Sequence, residues 1–195
     1  GPAGGAGPSP PPAATMYDLV VLHTNDVHSN YSGFDAENRI CRQPLCQGGS
    51  GGLLRAKQAV DAIRRRRPNV ILLDAGDQFQ GTLFFSLYKE DMPAFALNAL
   101  GYDAMCPGNH EFDDGCERFL RFSQKTDAPL LAANLALPGS PIAPWTILER
   151  GGRKIGVIGL AAPDAPASSS PCAEAAFSNP RTALQNPANE LQARG

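Results

Sequence analysis

At 195 residues and 20.6 kDa the chain suits one domain or a large piece of one, and its 43% hydrophobic residues suffice for a buried core. Its 17 basic and 19 acidic residues leave a formal charge of −2, which gives nucleic acid or an anionic membrane no electrostatic reason to bind. No apolar run approaches the ~20 residues that a transmembrane helix needs.

Residues 1–16 read as a leader rich in Gly, Pro and Ala (GPAGGAGPSPPPAAT) without a continuous apolar segment, flexible or polyproline-like rather than a signal peptide. A chain beginning with Gly is expected to be a processed product or a fragment, so export cannot be read from its start. Residues 17–195 read as one domain or a large piece of one. Tyr17 to Thr24 is an apolar, β-rich run and predicts a buried strand that opens into a polar loop, Asn25 to Gly52. Within that loop, CRQPLC spaces Cys41 and Cys46 for a small disulfide ring, which would imply an oxidising compartment. Two free thiols or half of a metal site are the alternatives.

Leu53 to Arg67 carries apolar residues at helical spacing and is stopped by Pro68. Its basic end, Arg64 to Arg67, suits a solvated helix terminus where cations favour the helix dipole. Val70 to Leu73 predicts a second buried strand ending at Asp74-Ala75-Gly76-Asp77. Met92 to Leu100 predicts a helix with Gly101 as its C-cap, and Asp103 to Cys106 a short strand. A helix over Gly115 to Lys125, a strand over Leu130 to Ala133 and a hairpin around Gly151-Gly152 follow. After Pro163 the chain turns loop-like, with SSSP and scattered prolines, before a last helix over Thr182 to Ala193. Cys106 and Cys116 sit beside apolar residues and are expected as buried thiols; five cysteines leave at least one without an internal partner. Strand and helix alternate, so the fold class is α/β.

Each of the first three strands runs into a polar cluster: Thr24-Asn25-Asp26-Val27-His28, Gly76-Asp77-Gln78 and Gly108-Asn109-His110-Glu111. One such cluster is ordinarily a turn. Three in succession at strand ends point to a shared site, because ligands bind in the crevice outside the carboxyl ends of α/β strands. Asp26 and His28, two apart, point to the same side of an extended segment. Oxygen and imidazole donors together suit zinc, manganese or iron better than calcium. Asp77 could bridge two ions with its two oxygens, Asn109 could offer a carbonyl to the second, and Gly76 and Gly108 let the backbone turn at each strand end. His23, inside the first strand, is expected to be a hydrogen-bonded core histidine or one that supports the ligands.

D-x-H, G-D-x and G-N-H-E in this order resemble the metallophosphoesterase (calcineurin-like) signature. The longer strings LHTNDVHS, LLDAGDQFQGT and GNHEFDDG resemble the 5′-nucleotidase family, especially its animal ecto-enzymes, from about Tyr17 to the end of the chain. The resemblance implies the N-terminal part of a four-layer α-β-β-α sandwich. It implies that Asp26, His28, Asp77 and Asn109 hold two divalent metal ions, zinc first with manganese or magnesium as alternatives, and that Asp77 bridges them. It makes His110 the catalytic histidine that faces the phosphate, with Asp113 holding its tautomer and favouring its protonated form. Glu111 falls to a backbone or supporting hydrogen bond.

The implied reaction is in-line release of phosphate from nucleoside 5′-monophosphates, of the AMP-to-adenosine type, in an extracellular or cell-surface protein with a nucleotide as substrate. No nucleic-acid or membrane contact is expected from this segment, and the full-length protein is expected as a homodimer. The Cys41–Cys46 ring resembles a small disulfide loop of the animal members. The family also uses histidines from two later turns, whereas this chain has only His23, His28 and His110. The isolated chain is therefore expected to bind metal weakly and to be inactive, with the base-binding domain absent. The alternatives are a sibling hydrolase (a 2′,3′-cyclic phosphodiesterase, a nucleotide-sugar hydrolase or an apyrase) and a non-catalytic truncated product.

Overall fold

The computed structural model describes residues 16–41 and 46–194, so all of the expected leader except Met16 lies outside the described residues. Three parallel strands organise the molecule in the order β1 (Val20–Thr24), β2 (Val70–Asp74), β3 (Ala104–Met105). β1 and β2 pair in register from Val20 opposite Val70 to Thr24 opposite Asp74, and Leu73 lies opposite Ala104. Parallel neighbours cannot be joined by a hairpin, so helical crossovers run between them. α1 (Leu53–Arg66) connects β1 to β2; α2 (Leu83–Tyr88) and α3 (Asp91–Leu100) connect β2 to β3.

β2 is the central strand, and Val70, Ile71 and Leu72 are buried. β1 lies at the edge, and its burial alternates along the strand. Val21 is half exposed, and His23 is exposed with no side-chain partner among the described residues. The expectation of a hydrogen-bonded or supporting His23 is thus corrected: an outer strand leaves one of its faces open.

α1 matches its expected span, and Pro68 follows it. Its basic end does more than meet solvent, since Arg64 donates to the Leu100 and Gly101 carbonyls at 2.7 and 2.6 Å and closes the end of α3. Gly101 is the left-handed C-cap, φ 67°, its N–H returning to Leu97 and Asn98. α2 was not anticipated; it is capped by Thr82, whose hydroxyl accepts from the Phe84 N–H at 3.3 Å. α4 (Gly115–Ser123) carries Phe119 and Phe122 into a core completed by Phe79, Phe85 and Phe112. Phe79 and Phe112 are fully buried, with Phe112 4.8 Å from Phe119 and Phe79 5.2 Å from Phe122 between ring centroids. Burying one such side chain contributes about 1.5–3 kcal/mol. Each anchors a polar loop, because Phe79 follows Asp77 by two positions and Phe112 follows His110 by two.

Leu130 to Ala133 does not form the expected strand. It makes isolated bridges, Leu130 to Met105 and Leu131 to Ala143, and passes on to β4 (Leu135–Ala136). The hairpin forms as expected, β5 (Trp145–Arg150) against β6 (Arg153–Ile158), with Gly151 and Gly152 at φ 52° and 72° in the turn. α5 (Ala165–Ser168) interrupts the expected loop, and β7 (Ala176–Phe177) returns to pair antiparallel with β4. The final helix is two, α6 (Pro180–Ala183) and α7 (Gln185–Ala193).

Cys41 and Cys46 form the expected disulfide. Cys116 is not a thiol: it is bonded to Cys172, which leaves Cys106 as the free cysteine. No helix among the described residues is long and apolar enough to cross a membrane.

Candidate metal and catalytic centre

The loops after β1 and β2 continue the parallel pairing beyond the strands. Asp26 N–H donates to the Gly76 carbonyl at 3.0 Å, His28 N–H to Asp77 at 2.9 Å and Ser29 N–H to Gln78 at 3.1 Å. The loop after β3 lies against the second of these. A Cβ on Gly76 would stand 2.2 Å from Gly108 N, and one on Gly108 would stand 2.2 Å from Asp77 Oδ1. Gly76 also needs its positive φ of 91°, whereas Gly108 is required for close approach rather than for a turn. Asp26, His28, Ser29 and Asp77 have φ of 51°, 46°, 53° and 56°, a left-handed backbone concentrated at this one place.

These loops bring the expected side chains together. His28, Asp77 and His110 each present a donor atom, and the three atoms lie within 4.8 Å of one another. Asp26 Oδ1 stands 3.7 Å from His28 Nε2 at the exposed rim of the group. His28 Nδ1 lies 3.2 Å from the Phe79 carbonyl; donating a proton there leaves Nε2 as the ligand nitrogen, the usual arrangement of a metal-binding histidine. Asp77 Oδ1 accepts the His110 backbone N–H at 3.0 Å, and its second oxygen has no hydrogen-bond partner among the described residues. Asn109 caps the short 3₁₀ turn His110–Phe112, and its side-chain amide has no hydrogen-bond partner among the described residues. The His28 imidazole, two carboxylates and the Asn109 carbonyl form a mixed nitrogen and oxygen set that fits borderline divalent ions, with His110 beside it.

The 3₁₀ turn folds Asp113 back onto His110. Asp113 Oδ2 lies 2.6 Å from His110 Nδ1, which directs Nε2 toward the cluster, and the two imidazole rings meet edge-on at 4.9 Å between centroids. Burial disfavours the charged His110 ring, but the hydrogen bond and charge of Asp113 outweigh it, and the pKa is raised above the ordinary histidine value. Asp113 has a second partner that sequence reasoning missed. Ser169 Oγ donates to its Oδ1 at 2.6 Å from 56 positions along the chain.

Glu111 has the supporting hydrogen-bonding role expected of it. Its fully buried carboxylate accepts four backbone N–H groups, from Asp77, Gln78, Phe79 and Gly108, at 2.6–3.2 Å. Burial pushes its pKa up to about 7, against the pull of those donors. Asp74 was also overlooked. It ends β2 buried, pushed up to about 6 by desolvation, and accepts from Thr24 Oγ1 (2.5 Å), Gly76 N–H (2.9 Å) and Gln78 Nε2 (2.8 Å). A charged residue closing an apolar strand was the available signal for Asp74; nothing in the sequence marked Ser169.

Comparison with known proteins points to one family. The calcineurin-like phosphoesterase family model matches residues 19–176. The 5′-nucleotidase of Bos taurus is 39% identical over 191 residues, covering 93% of this chain and 33% of that protein. The crystal structure of a 5′-nucleotidase precursor from Thermus thermophilus superposes with a TM-score of 0.80 at 33% identity, over 91% of this chain and 35% of that one. The Haemophilus influenzae NAD nucleotidase superposes with a TM-score of 0.78 at 31% identity, over 91% and 36%. The chain spans about a third of the length of the curated relatives it matches.

Proposed function

The chain belongs to the calcineurin-like phosphoesterase family, and on that premise we propose that it serves a 5′-nucleotidase, a phosphatase-type hydrolase that releases phosphate from nucleoside 5′-monophosphates. It corresponds to the N-terminal part of the 5′-nucleotidase domain. The observation that carries the reading is the His110–Asp113 pair, held at 2.6 Å beside His28 and Asp77 where three strand ends meet.

Asp26, His28, Asp77 and Asn109 would hold two divalent ions, zinc by preference. Bound ions supply Lewis acidity toward phosphoryl oxygens and lower the pKa of water. The chain's own contribution is positional and electrostatic. His110, its protonated form favoured by Asp113 and its ring fixed by the bond at Nδ1, turns Nε2 toward the phosphoryl group, where Nε2–H stabilises charge that grows in the transition state. Asp77 accepts the His110 N–H, so ligand and catalytic ring are set relative to each other by one bond. The two disulfides fit an extracellular or cell-surface location. Homodimerisation of the full-length protein, with no nucleic-acid or membrane contact from this segment, belongs to the same reading.

A nucleotide with a pyrophosphate link is the second candidate substrate, favoured by the similarity to an NAD nucleotidase. The full-length protein, assayed with zinc or manganese for phosphate release, is expected to act on AMP ahead of ADP, NAD and 2′,3′-cyclic AMP. Preference for NAD or the cyclic nucleotide would replace the substrate assignment. No release from any of them would overturn the hydrolase reading.

A further inference from the structure

We propose that Ser169 is a positioning residue for the His110–Asp113 pair, held in place by a frame built from Asn134 and the Cys116–Cys172 disulfide. The inference rests on the phosphohydrolase reading above. Asp113 has two carboxylate oxygens and two partners: Oδ2 meets His110 Nδ1 at 2.6 Å, and Oδ1 accepts from Ser169 Oγ at 2.6 Å. With both ends engaged, the plane of the carboxylate is fixed. Without the hydroxyl, the broad, nearly two-fold torsion about the carboxyl group is restrained at one end only, and the imidazole it orients loosens with it.

Local structure does not place Ser169. It follows the four-residue α5 in an extended conformation, φ −149° and ψ −167°. The placement comes from both ends of segment 161–178 and from its middle. At the base, the Asn134 side chain, 2% exposed, exchanges two bonds with Ala161, donating to its carbonyl and accepting its N–H, each at 2.8 Å. The same residue donates to the Ser178 carbonyl at 3.2 Å, while Ser178 N–H donates to the Asn134 carbonyl at 2.8 Å. One buried residue therefore pins the entry and the exit. In between, the disulfide ties Cys172 to Cys116, and Cys172 N–H also points at Cys116 Sγ, 2.9 Å away. Cys116 lies in the first turn of α4, three positions after Asp113, so the cross-link joins the segment carrying Ser169 to the element that follows Asp113. Cutting it leaves the segment held at its base, free to open locally.

The test uses the full-length protein with divalent metal and AMP. Ser169→Ala is expected to lower kcat by about 10-fold, the lower end for losing a residue that orients a site group from behind, with KM and metal content unchanged. Ser169→Thr, which keeps the hydroxyl, should recover most of the rate. In an Asp113→Ala background, Ser169→Ala should cost nothing further, since the group it acts through is gone. The Cys116→Ser/Cys172→Ser double variant should fall in the same direction, less far. The second readout is the downfield proton resonance of His110 Nδ1–H, identified by its loss in His110→Ala and expected to move upfield in Ser169→Ala. An unmoved resonance overturns the proposal even if the parent protein releases no phosphate, the outcome that would sink the hydrolase reading instead. In an active parent, a kcat unchanged by Ser169→Ala, or an equal loss with and without Asp113, overturns the proposal alone.

Discussion

Asp77 and Glu111 are joined by a hydrogen bond from the backbone N–H of the first to the buried carboxylate of the second, at 2.9 Å. The same oxygen, Oε2, takes the Gly108 N–H at 2.6 Å. The loop bearing Asp77 and the loop bearing Asn109 and His110 are therefore fastened to one atom. The backbones of the two loops are thereby held in register by the polypeptide itself.

Glu111→Ala would strip four buried N–H groups of their acceptor. It is expected to lower stability by about 1–3 kcal/mol for each N–H left buried without an acceptor and to reduce metal content along with turnover. Glu111→Gln should destabilise less, because its carbonyl still accepts while its amide N–H₂ opposes the remaining donors. Denaturant unfolding with metal analysis checks both. A Glu111→Ala protein unfolding at the parent midpoint would remove Glu111 from this role.

His110→Ala should lower turnover by about 10²–10³-fold while metal content stays nearly constant, because one transition-state donor is lost but no ligand. Asp113→Asn should act in the same direction more weakly, since the ring remains and only its orientation and charge suffer. Asp77→Asn should lose metal. Metal-to-protein ratios measured beside turnover separate the three, and metal loss in His110→Ala as severe as in Asp77→Asn would make His110 a ligand.

Peptide mapping of non-reduced protein should recover Cys41 linked to Cys46 and Cys116 linked to Cys172. Cys106 is half-buried and its thiol is pushed up to about 12 by burial, so it should resist alkylation until the protein unfolds. Rapid labelling of Cys106 in the native state, or of either pair, would contradict the arrangement.

Glu90 is a buried carboxylate among Arg118, Arg121 (2.9 Å) and Lys125 (3.5 Å). Burial alone would raise its pKa, yet hydrogen bonds from its own backbone, Arg121 and Arg118 bring it from 4.5 down to about 2. A depressed folded-state pKa means that the stabilisation is complete above pH 4.5 and is lost as pH falls toward about 2. Glu90→Gln should therefore melt below the parent near neutrality, by about 1.5–3 kcal/mol for hydrogen bonds to a charged group. The gap should narrow across that acid window. A gap independent of pH would show that the carboxylate's charge is not what matters.

Much of this was legible in the sequence, for identifiable reasons. β1, β2 and β3 are apolar runs that break into Asp26, Asp77 and Asn109, and the parallel register places those breaks side by side. What escaped was long-range or ambiguous. Leu83–Tyr88 is apolar except at Ser86, so six residues give no readable period, and only the Thr82 cap marks the helix. Cys116 and Cys172 stand 56 positions apart, a pairing that no spacing rule supplies. His23 depended on which strand lay at the sheet edge, which is decided by the order of strands and not by their composition.

The left-handed conformations at Asp26, His28 and Asp77 have a consequence for which variants a saturation scan would tolerate. Outside glycine, Asn, Asp and His are the residues that most readily adopt this conformation. They are also donors of the oxygen and imidazole kind that the site uses. The backbone therefore restricts the permitted alphabet before coordination chemistry is consulted. Asp77→Asn changes charge at little conformational expense, whereas Asp77→Glu keeps the charge and still strains the turn. A scan of these positions read out by folding stability, as distinct from metal content or turnover, should rank substitutions by backbone compatibility first and by charge second, with β-branched residues the worst.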